Sequence, residues 1–340
     1  MKICFVTDEY NPRTGGQYSG LSQILLQLKK YKIKHIIVNK NSKIINNKSL
    51  FEKTLSSYDI FHFFGGWTIF YVKLSLLALK LKKKIIVHPM GFYEPWSLSQ
   101  KKIKKKIAWY LYQKRILLKA DLIHCASDNE KKNILKLNKK FKTVVLPFGI
   151  ENNFIKKKNK KKLKKKALFF SRLHKKKGLI DLIRAWKDIN NDDWTLDIVG
   201  EGEEKNYLKN MVSIKKYTNI NFLDPIYSNN EKIKLFNKYD LFILPTKSEN
   251  FGISILESLA RGVPVLTTSS TPWKFIKKYN AGWIINKIDP ELKLTLIKIF
   301  KLKKKFFFIK SKNSINLAKL FRWDLIFPKY INVYKDLLNS

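Results

Sequence analysis

Residues 241–268 of this sequence read LFILPTKSENFGISILESLARGVPVLTT. The apolar run 241–244 predicts a buried strand that ends at a polar loop. A helix is expected over 253–261, because Gly262 and then a proline follow it as terminating residues. The apolar run 263–267 then predicts a second buried strand. A strand, a loop, a helix and a strand in this order are typical of a parallel sheet whose faces are covered by helices.

The same alternation extends outward over most of the 340 residues. In the first half we predict strands at 2–7, 34–39, 58–63, 84–87, 121–125 and 142–146, and helices at 19–30, 68–81, 99–118 and 128–138. In the second half we predict strands at 167–170, 194–199, 220–223, 241–244, 263–267 and 282–285, and helices at 178–189, 203–212, 229–238, 253–261 and 290–300. The predicted fold class is α/β, with two Rossmann-like parallel-sheet domains facing each other across a cleft.

A run of lysines, IKKKNKKKLKKK at 155–166, separates the two halves. It contains too few apolar residues to bury a core, so it is expected to be a solvated linker. We therefore predict a first domain at 1–155, a linker at 156–166 and a second domain at 167–320. The remaining residues, 321–340, are expected to be helical and to pack back on the first domain.

The composition is strongly basic, with 69 Lys+Arg, 26 Asp+Glu and a formal net charge of +43. A charge of this size is typical of proteins that bind nucleic acid or an anionic membrane. The alternative is a compositional bias that places lysine wherever the surface tolerates it, since only six of these residues are arginine. Under that interpretation a persisting arginine, such as Arg172, marks a place where a planar guanidinium is needed.

The cysteine content favours a reducing compartment. Cys4 and Cys125 both fall within predicted strands and fit neither a disulfide framework nor a zinc-binding spacing. The start of the sequence becomes acidic by residue 8, which predicts a strand rather than a secretory signal. No apolar stretch is long enough for a transmembrane helix. We therefore expect a cytoplasmic protein.

Two carboxylates flank the start of the helix at 253–261. Glu249 lies in the loop before it, and Glu257 lies in its first turns. Gly252 lets backbone amides at the helix N-terminus approach a ligand, and those amides together with the helix dipole favour an anion. The structural alternatives are a helix cap for Glu249 and a dipole-favoured surface position for Glu257. The combination of strand, acidic loop, glycine and helix favours a binding site.

Three other loops follow predicted strands. The segment SRLHKKKG contains Arg172 and Lys177, and two cations suit a diphosphate leaving group. Gly200 belongs to VGEGEE, which lacks the third glycine of a dinucleotide fingerprint and also suits an ordinary tight turn. Gly15 and Gly16 precede a helix and form a turn compatible with phosphate, although a plain surface loop explains them equally well.

These segments resemble those of a known family. The spacing of Glu249 and Glu257 forms an EX7E pattern that resembles the signature of family 4 of the retaining glycosyltransferases, which have the GT-B fold. SRLHKKKGLIDLIRAW, IVGEGEE, ADLIHCASDNEKKNI and LPFGIE are similar to further segments of that family. HPMGFYEPWSL, residues 88–98, resembles a stretch of members that build bacterial surface polysaccharides.

The resemblance implies roles for the candidate residues. Glu257 would bind ribose hydroxyls of a nucleotide, and Glu249 would contact hydroxyls of the donor sugar. Arg172 and Lys177 would hold the diphosphate. Amides near Asn250, Phe251, Gly252 and Ile253 would hold sugar and diphosphate, Gly15 and Gly16 would line the donor and acceptor cleft, and Gly200 would lie near the donor.

The resemblance also implies the reaction. A sugar would pass with retention from a UDP- or GDP-sugar to a glycan or lipid-linked glycan, in surface polysaccharide synthesis. The leaving phosphate would take the acceptor proton during a front-face attack, so no protein nucleophile and no cofactor are expected. The sequence contains no Asp-x-Asp motif, so no metal is expected either. Many members have a histidine directly before the glycine at position 91. Met90 stands there in this chain, and His88 is the candidate for that acceptor-side contact.

Two rival functions remain open from the sequence. A basic nucleic-acid-binding protein would have lysines, arginines and aromatic residues interleaved on one face, whereas the lysines here are spread along the whole chain. A sugar-nucleotide epimerase or a phosphorylase would keep the GT-B fold and change the reaction. No pattern in the sequence specifies an oligomeric state.

Residues 99–119, SQKKIKKKIAWYLYQKRILLK, combine seven lysines and one arginine with an apolar set. The apolar set consists of Ile103, Ile107, Trp109, Tyr110 and Leu111. One apolar and one basic face are typical of a helix that lies on anionic lipid, which would give a peripheral contact with the inner face of a membrane. The alternative is a helix that covers the sheet, with its apolar stripe used on the core.

Overall fold

The computed structural model describes residues 1–46, 48–155, 162–189, 191–214 and 217–340. It divides into unit 1, which is Met1–Gly149 with Trp323–Ser340, and unit 2, which is Ile150–Arg322. Unit 2 is therefore inserted between two parts of unit 1 in chain order. Residues 156–161 of the predicted linker lie outside the described residues.

Unit 1 is built on a six-stranded parallel sheet. Its strands are β1 (Lys2–Thr7), β2 (Lys34–Val38), β3 (Ile60–Phe64), β4 (Lys84–His88), β5 (Leu122–Cys125) and β6 (Thr143–Val145). Its helices before unit 2 are α1 (Gly16–Lys30), α2 (Lys48–Ser56), α3 (Ile69–Lys80), α4 (Pro95–Ser99), α5 (Lys102–Ala108), α6 (Lys114–Lys119) and α7 (Asp128–Leu137), with a π-helical turn at Trp109–Gln113 between α5 and α6. The strand order is β2-β1-β3-β4-β5-β6.

Unit 2 contains a second six-stranded parallel sheet. Its strands are β7 (Lys166–Phe170), β8 (Thr195–Val199), β9 (Ile220–Leu223), β10 (Leu241–Leu244), β11 (Val265–Thr268) and β12 (Gly282–Ile285). Its helices are α8 (Leu179–Ile189), α9 (Lys205–Ile214), α10 (Asn229–Phe236), α11 (Ile253–Ala260), α12 (Phe275–Lys278), α13 (Glu291–Phe300) and α14 (Lys304–Lys319). The strand order is β12-β11-β10-β7-β8-β9. The last helix of the chain, α15 (Trp323–Asn339), belongs to unit 1.

The predicted α/β class with two parallel sheets is confirmed. Each predicted strand is present, and its ends differ from the prediction by no more than two residues. The strands were recognisable because central strands of a parallel sheet are covered on both faces and therefore read as continuous apolar runs. All five residues of β3, IFHFF, and all four of β10, LFIL, are buried.

Some helices differ from the prediction. The helix expected at 99–118 begins later, at Lys102, and continues through α5, the π-helical turn and α6 to Lys119. Lys101, with φ +52, separates it from α4, which ends at Ser99. Helices α2, α4, α12 and α14 were not predicted. The buried face of α14 contains Phe307, Ser314, Ile315 and Ala318, whose spacing is helical, but Ser314 and the lysines before Phe307 obscure the apolar pattern.

In unit 2 the strand order reverses between β7 and β10, so the loops after these two strands leave the sheet side by side. Gly178 (φ +70) is pressed against the second loop, and a Cβ added to it would lie 2.1 Å from the carbonyl oxygen of Pro245. The backbone N–H of Lys247 donates to the carbonyl of Lys176 at 2.8 Å. A backbone hydrogen bond and a close backbone contact therefore hold the two loops against each other at the carboxyl edge of the sheet.

In unit 1 the order reverses between β1 and β3, and the loop after β1 leads into α1. Gly15 has φ 66 and ψ −122, a conformation that favours glycine. Gly16 begins the helix, and a Cβ added to it would meet no atom within 4 Å. The backbone conformation therefore favours a glycine at position 15, whereas no neighbouring atom among the described residues requires one at position 16.

Three buried histidines lie side by side on β3, β4 and β5 of unit 1. His124 donates from Nε2 to the carbonyl of Leu146 at 2.7 Å, so the Nδ1 of the neutral ring accepts from His62 Nε2 at 3.2 Å. The Nδ1 of His62 then accepts from the hydroxyl of Tyr334, on α15, at 3.0 Å. His88 stacks on His124 with ring centroids 4.0 Å apart and donates from Nδ1 to the carbonyl of His124.

This network holds only neutral imidazoles. A further proton on His62 or His124 would place a hydrogen-bond donor opposite another donor, and burial removes the water that would solvate a charge on any of the three rings. Burial, reinforced by the neighbouring histidines, lowers the pKa of His62 and His88 well below the usual value. Burial also lowers the pKa of His124, to about 4, despite its hydrogen bond to the Leu146 carbonyl.

We predict that Gly178→Ala destabilises the protein and that Gly16→Ala does not. Alanine at position 178 adds left-handed backbone strain and a clash with the Pro245 carbonyl, for a loss of about 2 kcal/mol or more in the free energy of unfolding. Alanine at position 16 meets open space and should change stability by less than about 1 kcal/mol. Chemical denaturation of the two variants measures both effects. Equal stability of the two variants would contradict the packing described here.

We predict that unit 1 loses stability as the pH falls from about 6.5 toward 4. The folded pKa values of the three histidines lie below the unfolded value, so the unfolded chain binds more protons in this window and its population grows. Each such histidine contributes about 1.4 kcal/mol per pH unit to the slope. Denaturant unfolding between pH 7.5 and 5 measures this slope. His88→Phe should make it shallower, whereas His35→Gln, on β2 and outside the network, should leave it unchanged; the reverse pattern would refute the assignment.

Candidate active site

The loops after β7 and β10 bring two candidate residues into direct contact. Lys177 Nζ lies 2.5 Å from Glu249 Oε2, although the two residues are 72 positions apart in the sequence. Both side chains are largely buried. The N-cap of α11 is Gly252 and no side chain caps the helix, so the interpretation of Glu249 as a helix cap is wrong. Glu249 is instead the partner of a buried cation.

The electrostatic surroundings keep Glu249 negatively charged. Burial by itself would raise the pKa of this carboxyl group, but Lys177, Lys176 and Arg172 outweigh burial and lower it. Arg172 is exposed, on the same loop as Lys177. Its backbone carbonyl accepts from the N–H of His174. The site therefore contains a carboxylate surrounded by an excess of positive charge, which suits a ligand that carries both hydroxyl groups and an anion.

The start of α11 forms the adjoining wall of the site. Its first intrahelical bond runs from the N–H of Ile255 to the carbonyl of Gly252, so the N–H groups of Gly252, Ile253 and Ser254 precede the hydrogen-bonded part of the helix. Gly252 has φ +82, and a Cβ added to it would lie 3.2 Å from Cγ of Glu249. These amides are positioned to bind an anion beside the Glu249 carboxylate.

The backbone before α11 is fixed by aromatic packing. The indole N–H of Trp273 donates to the carbonyl of Phe251 at 2.5 Å, and the two rings pack edge to face. Phe321 packs against both rings. Asn250 is buried beside them. Predicted residues Asn250, Phe251, Gly252 and Ile253 thus lie together with Glu249 at this edge of the sheet.

Glu257 lies on α11 and is only 4% exposed, so the surface position offered as its structural alternative is wrong. Its Oε1 lies 2.8 Å from Nζ of Lys232, on α10, which is 7% exposed. Lys232 was not predicted, because lysines occur throughout the sequence and carry little information. The apolar spacing of α10, which places position 232 on the buried side with Leu235 and Phe236, could have identified it.

Gly200 and Gly202 pack the loop after β8 against the loop after β7. A Cβ added to Gly200 would lie 1.9 Å from the carbonyl of Ser171, and one added to Gly202 would lie 2.2 Å from the carbonyl of Leu173. Close packing of the backbone therefore accounts for both glycines, whatever ligand they contact. Among the described residues, no group of three or more His, Cys, Asp or Glu side chains is placed to hold a metal ion.

The first-unit candidates lie at the carboxyl edge of the other sheet. Gly15 and Gly16 begin α1 after β1. His88 ends β4 but is fully buried in the histidine network, and among the described residues its Nε2 has no hydrogen-bond partner. Met90 is partly exposed with φ +55, and Gly91 donates its N–H to the buried carboxylate of Glu130. Met90 therefore presents more surface than His88.

The segment from α5 to α6 presents an exposed apolar stripe, which consists of Ile103, Ile107, Tyr110 and Leu111. Ile103 is 76% exposed and Leu111 is 67% exposed. The alternative in which this stripe is used on the core is therefore wrong for these four residues. Trp109, predicted to share the apolar face, instead packs against Trp67 and Tyr93. None of the helices in the described part of the chain has the length and apolar character needed to cross a membrane.

Comparison with known proteins supports the family resemblance found in the sequence, and the matching family model covers most of unit 2. Residues 151–305 match the family model of the glycosyl transferases group 1. The chain is 27% identical over 253 residues to the O-antigen biosynthesis glycosyltransferase WclY of Escherichia coli, across 68% of this chain and 67% of WclY. It is 26% identical over 227 residues to the capsular polysaccharide biosynthesis glycosyltransferase CapM of Staphylococcus aureus, across 60% of this chain and 59% of CapM.

A solved structure confirms the fold over nearly the whole chain. The crystal structure of HepE from Anabaena, in complex with UDP and glucose, superposes with a TM-score of 0.78 over 98% of this chain and 99% of HepE, at 16% identity. The two parallel sheets and the family match agree, and the EX7E residues lie within the matched region. The chain is thus a glycosyltransferase of GT-B fold that carries a glycosyl transferases group 1 domain.

Proposed function

We propose that this glycosyltransferase takes its sugar from a UDP- or GDP-sugar and transfers it with retention to a glycan or lipid-linked glycan of a surface polysaccharide. No cofactor and no metal ion take part in this proposal. WclY and CapM are named for the biosynthesis of O-antigen and capsular polysaccharide. The HepE structure contains UDP and glucose. Both comparisons support the proposed donor and pathway.

The observation that carries the proposal is the contact between Lys177 and Glu249 at the point where the strand order of unit 2 reverses. Ligands of open parallel sheets bind at such points. The contact combines a carboxylate, which accepts hydrogen bonds from sugar hydroxyls, with cations and helix amides that suit a diphosphate. A nucleoside diphosphate sugar has both kinds of group in one molecule.

The chemistry requires the protein to stabilise a leaving diphosphate. The bond between the sugar C1 and the phosphate oxygen breaks, and its electron pair stays with the diphosphate. The acceptor oxygen forms its bond to C1 on the same face, and its proton passes to the departing phosphate oxygen. Arg172, Lys177 and the amides of α11 bind the charge that grows on the diphosphate. Glu249 orients the sugar through its hydroxyls, so C1 is held in place for attack.

A thermal-shift panel of UDP-, GDP- and ADP-sugars tests the donor. A ligand that binds only the folded state at 100 times its Kd raises the free energy of unfolding by about 2.7 kcal/mol. One base should stabilise the protein far more than the others. No stabilisation by any nucleotide sugar would contradict the proposed function.

We predict that Glu257→Ala weakens binding of the preferred nucleotide by about tenfold or more, because a charged hydrogen-bond partner is lost. Isothermal titration calorimetry on the folded variant measures the change. Asp188→Ala is the matched control. Asp188 is an exposed carboxylate near the end of α8, toward the amino edge of the sheet. Unchanged affinity in Glu257→Ala would remove Glu257 from the nucleotide site.

Product analysis tests the reaction itself. Nuclear magnetic resonance of the product gives the anomeric configuration, and activity in excess chelator tests the absence of a metal requirement. Donor turnover without an acceptor would indicate an epimerase. Cleavage of a glycan by inorganic phosphate would indicate a phosphorylase.

A peripheral membrane contact is also part of the proposal. The apolar stripe of Ile103, Ile107, Tyr110 and Leu111 is exposed. Lys102 directly precedes the stripe in the sequence, Lys104 and Lys106 lie between Ile103 and Ile107, and all three lysines are exposed. Apolar side chains that enter the headgroup region, with lysines beside them, are typical of a surface that lies on anionic lipid. Such a contact would bring the enzyme to a lipid-linked acceptor.

We predict that the protein binds anionic vesicles in a salt-sensitive manner and that Lys102→Gln, Lys104→Gln and Lys106→Gln together weaken this binding. Each lysine near an anionic surface contributes about 1 kcal/mol. Lys105 is left unchanged, because its Nζ donates to Ser97 and lies over the Trp67 ring. Vesicle sedimentation at low and high salt gives the measurement.

The matched control replaces three exposed lysines of unit 2, Lys301, Lys303 and Lys305, by glutamine. It lowers the net charge equally and should leave vesicle binding nearly unchanged. Leu111→Ser should weaken binding without changing the charge. Equal losses in both triple variants would mean that net charge alone drives the attachment, and no binding to any vesicle would favour a soluble acceptor.

A further inference from the structure

Lys232 is a buried lysine in a protein whose lysines are mostly on the surface. It is 7% exposed, whereas Lys234 and Lys238 nearby are exposed. A buried ammonium group is costly unless it is paired. Its partners are the carboxylate of Glu257, at 2.8 Å, and the face of Phe170, with the ring centroid 5.8 Å from Nζ. Because Phe170 is the last residue of β7, Lys232 lies at the same carboxyl edge as the candidate active site.

The ion pair with Lys232 involves only one of the two carboxylate oxygens of Glu257. Lys232 contacts Oε1 of Glu257, and among the described residues Oε2 of Glu257 has no hydrogen-bond partner. A carboxylate has about four positions at which it accepts hydrogen bonds, so it can accept from a lysine and from two hydroxyls at once. Glu257 is four residues after the start of α11, so it lies about 6 Å along the helix from the amides that suit the diphosphate.

We propose that Lys232 is a positioning residue for the ribose of the donor. It balances the charge of Glu257 and fixes its rotamer, so that Oε2 is presented to the 2′- and 3′-hydroxyls of a nucleoside diphosphate. This inference rests on the proposed function. Lys232 acts through Glu257 and does not itself contact the diphosphate, for which Lys177 and Arg172 supply the cations.

Discrimination between UDP and 2′-deoxy-UDP tests this role, or the corresponding guanosine pair if GDP is the preferred nucleotide. The native protein should bind the ribonucleotide about tenfold or more tightly than the deoxynucleotide, because loss of the 2′-hydroxyl removes one hydrogen bond to a charged group. Lys232→Met should reduce this ratio to about threefold or less. Lys232→Arg, which keeps the charge, should restore much of the ratio. Lys234→Met, an exposed position on the same helix, should leave it unchanged.

The ratio separates positioning from stability. A residue with only a structural role would lower the melting temperature in Lys232→Met and leave the ratio of the two affinities as it is, and that result would overturn the inference. If Lys232→Met does not fold, Lys232→Gln is the second variant. It keeps a hydrogen-bond donor without the charge and should also reduce the ratio.

Two further outcomes contradict the proposal in distinguishable ways. If Lys232→Met weakens UDP but leaves uridine affinity unchanged, Lys232 binds phosphate and is not a positioning residue. If the native protein binds neither UDP nor GDP, the proposed function fails and the inference fails with it. If it binds one of them but does not distinguish ribose from deoxyribose, only the inference fails.

Discussion

The parallel pairing of β7 with β10 is the contact on which the candidate active site depends. The two strands are far apart in the sequence, and their pairing places the loops that follow them side by side. The absent side chain of Gly178 lets these loops approach until Lys177 and Glu249 meet. A buried ion pair stabilises a protein little, because both ions lose their hydration. Its presence at this edge is consistent with the ligand binding proposed above.

Both glutamates of the EX7E pattern share this arrangement. Each pairs with a largely buried lysine that comes from a different loop or helix, Lys177 for Glu249 and Lys232 for Glu257. The two lysines differ from the rest of the basic surplus, most of which is solvated and consistent with compositional bias. The lysines of this chain therefore do not all have the same role. The burial of each lysine and its partner distinguish the two that pair with the EX7E glutamates from the solvated ones.

The strands were accessible from the sequence, because buried parallel strands appear as short apolar runs between helices. The strand order within each sheet was not predicted. The contact between Lys177 and Glu249 was not accessible from the residues alone, since it depends on which strands become neighbours. Lys232 was missed because one more lysine carries no signal in this composition. The break at Lys101 was missed because a left-handed lysine has no local marker. The inward turn of Trp109 was missed because an aromatic residue fits either face of an amphipathic helix.

The position of α15 affects the order in which the two units can fold during synthesis. Residues 1–149 are synthesised first, yet the sheet face that bears His62 and His124 is covered by Tyr334 and Tyr330, which are synthesised after all of unit 2. A ribosome-bound chain that lacks residues 323–340 therefore leaves the rings of His62 and His124 without these two tyrosines. Unit 2 is one continuous stretch, Ile150–Arg322, so all of its residues are synthesised before unit 1 receives α15.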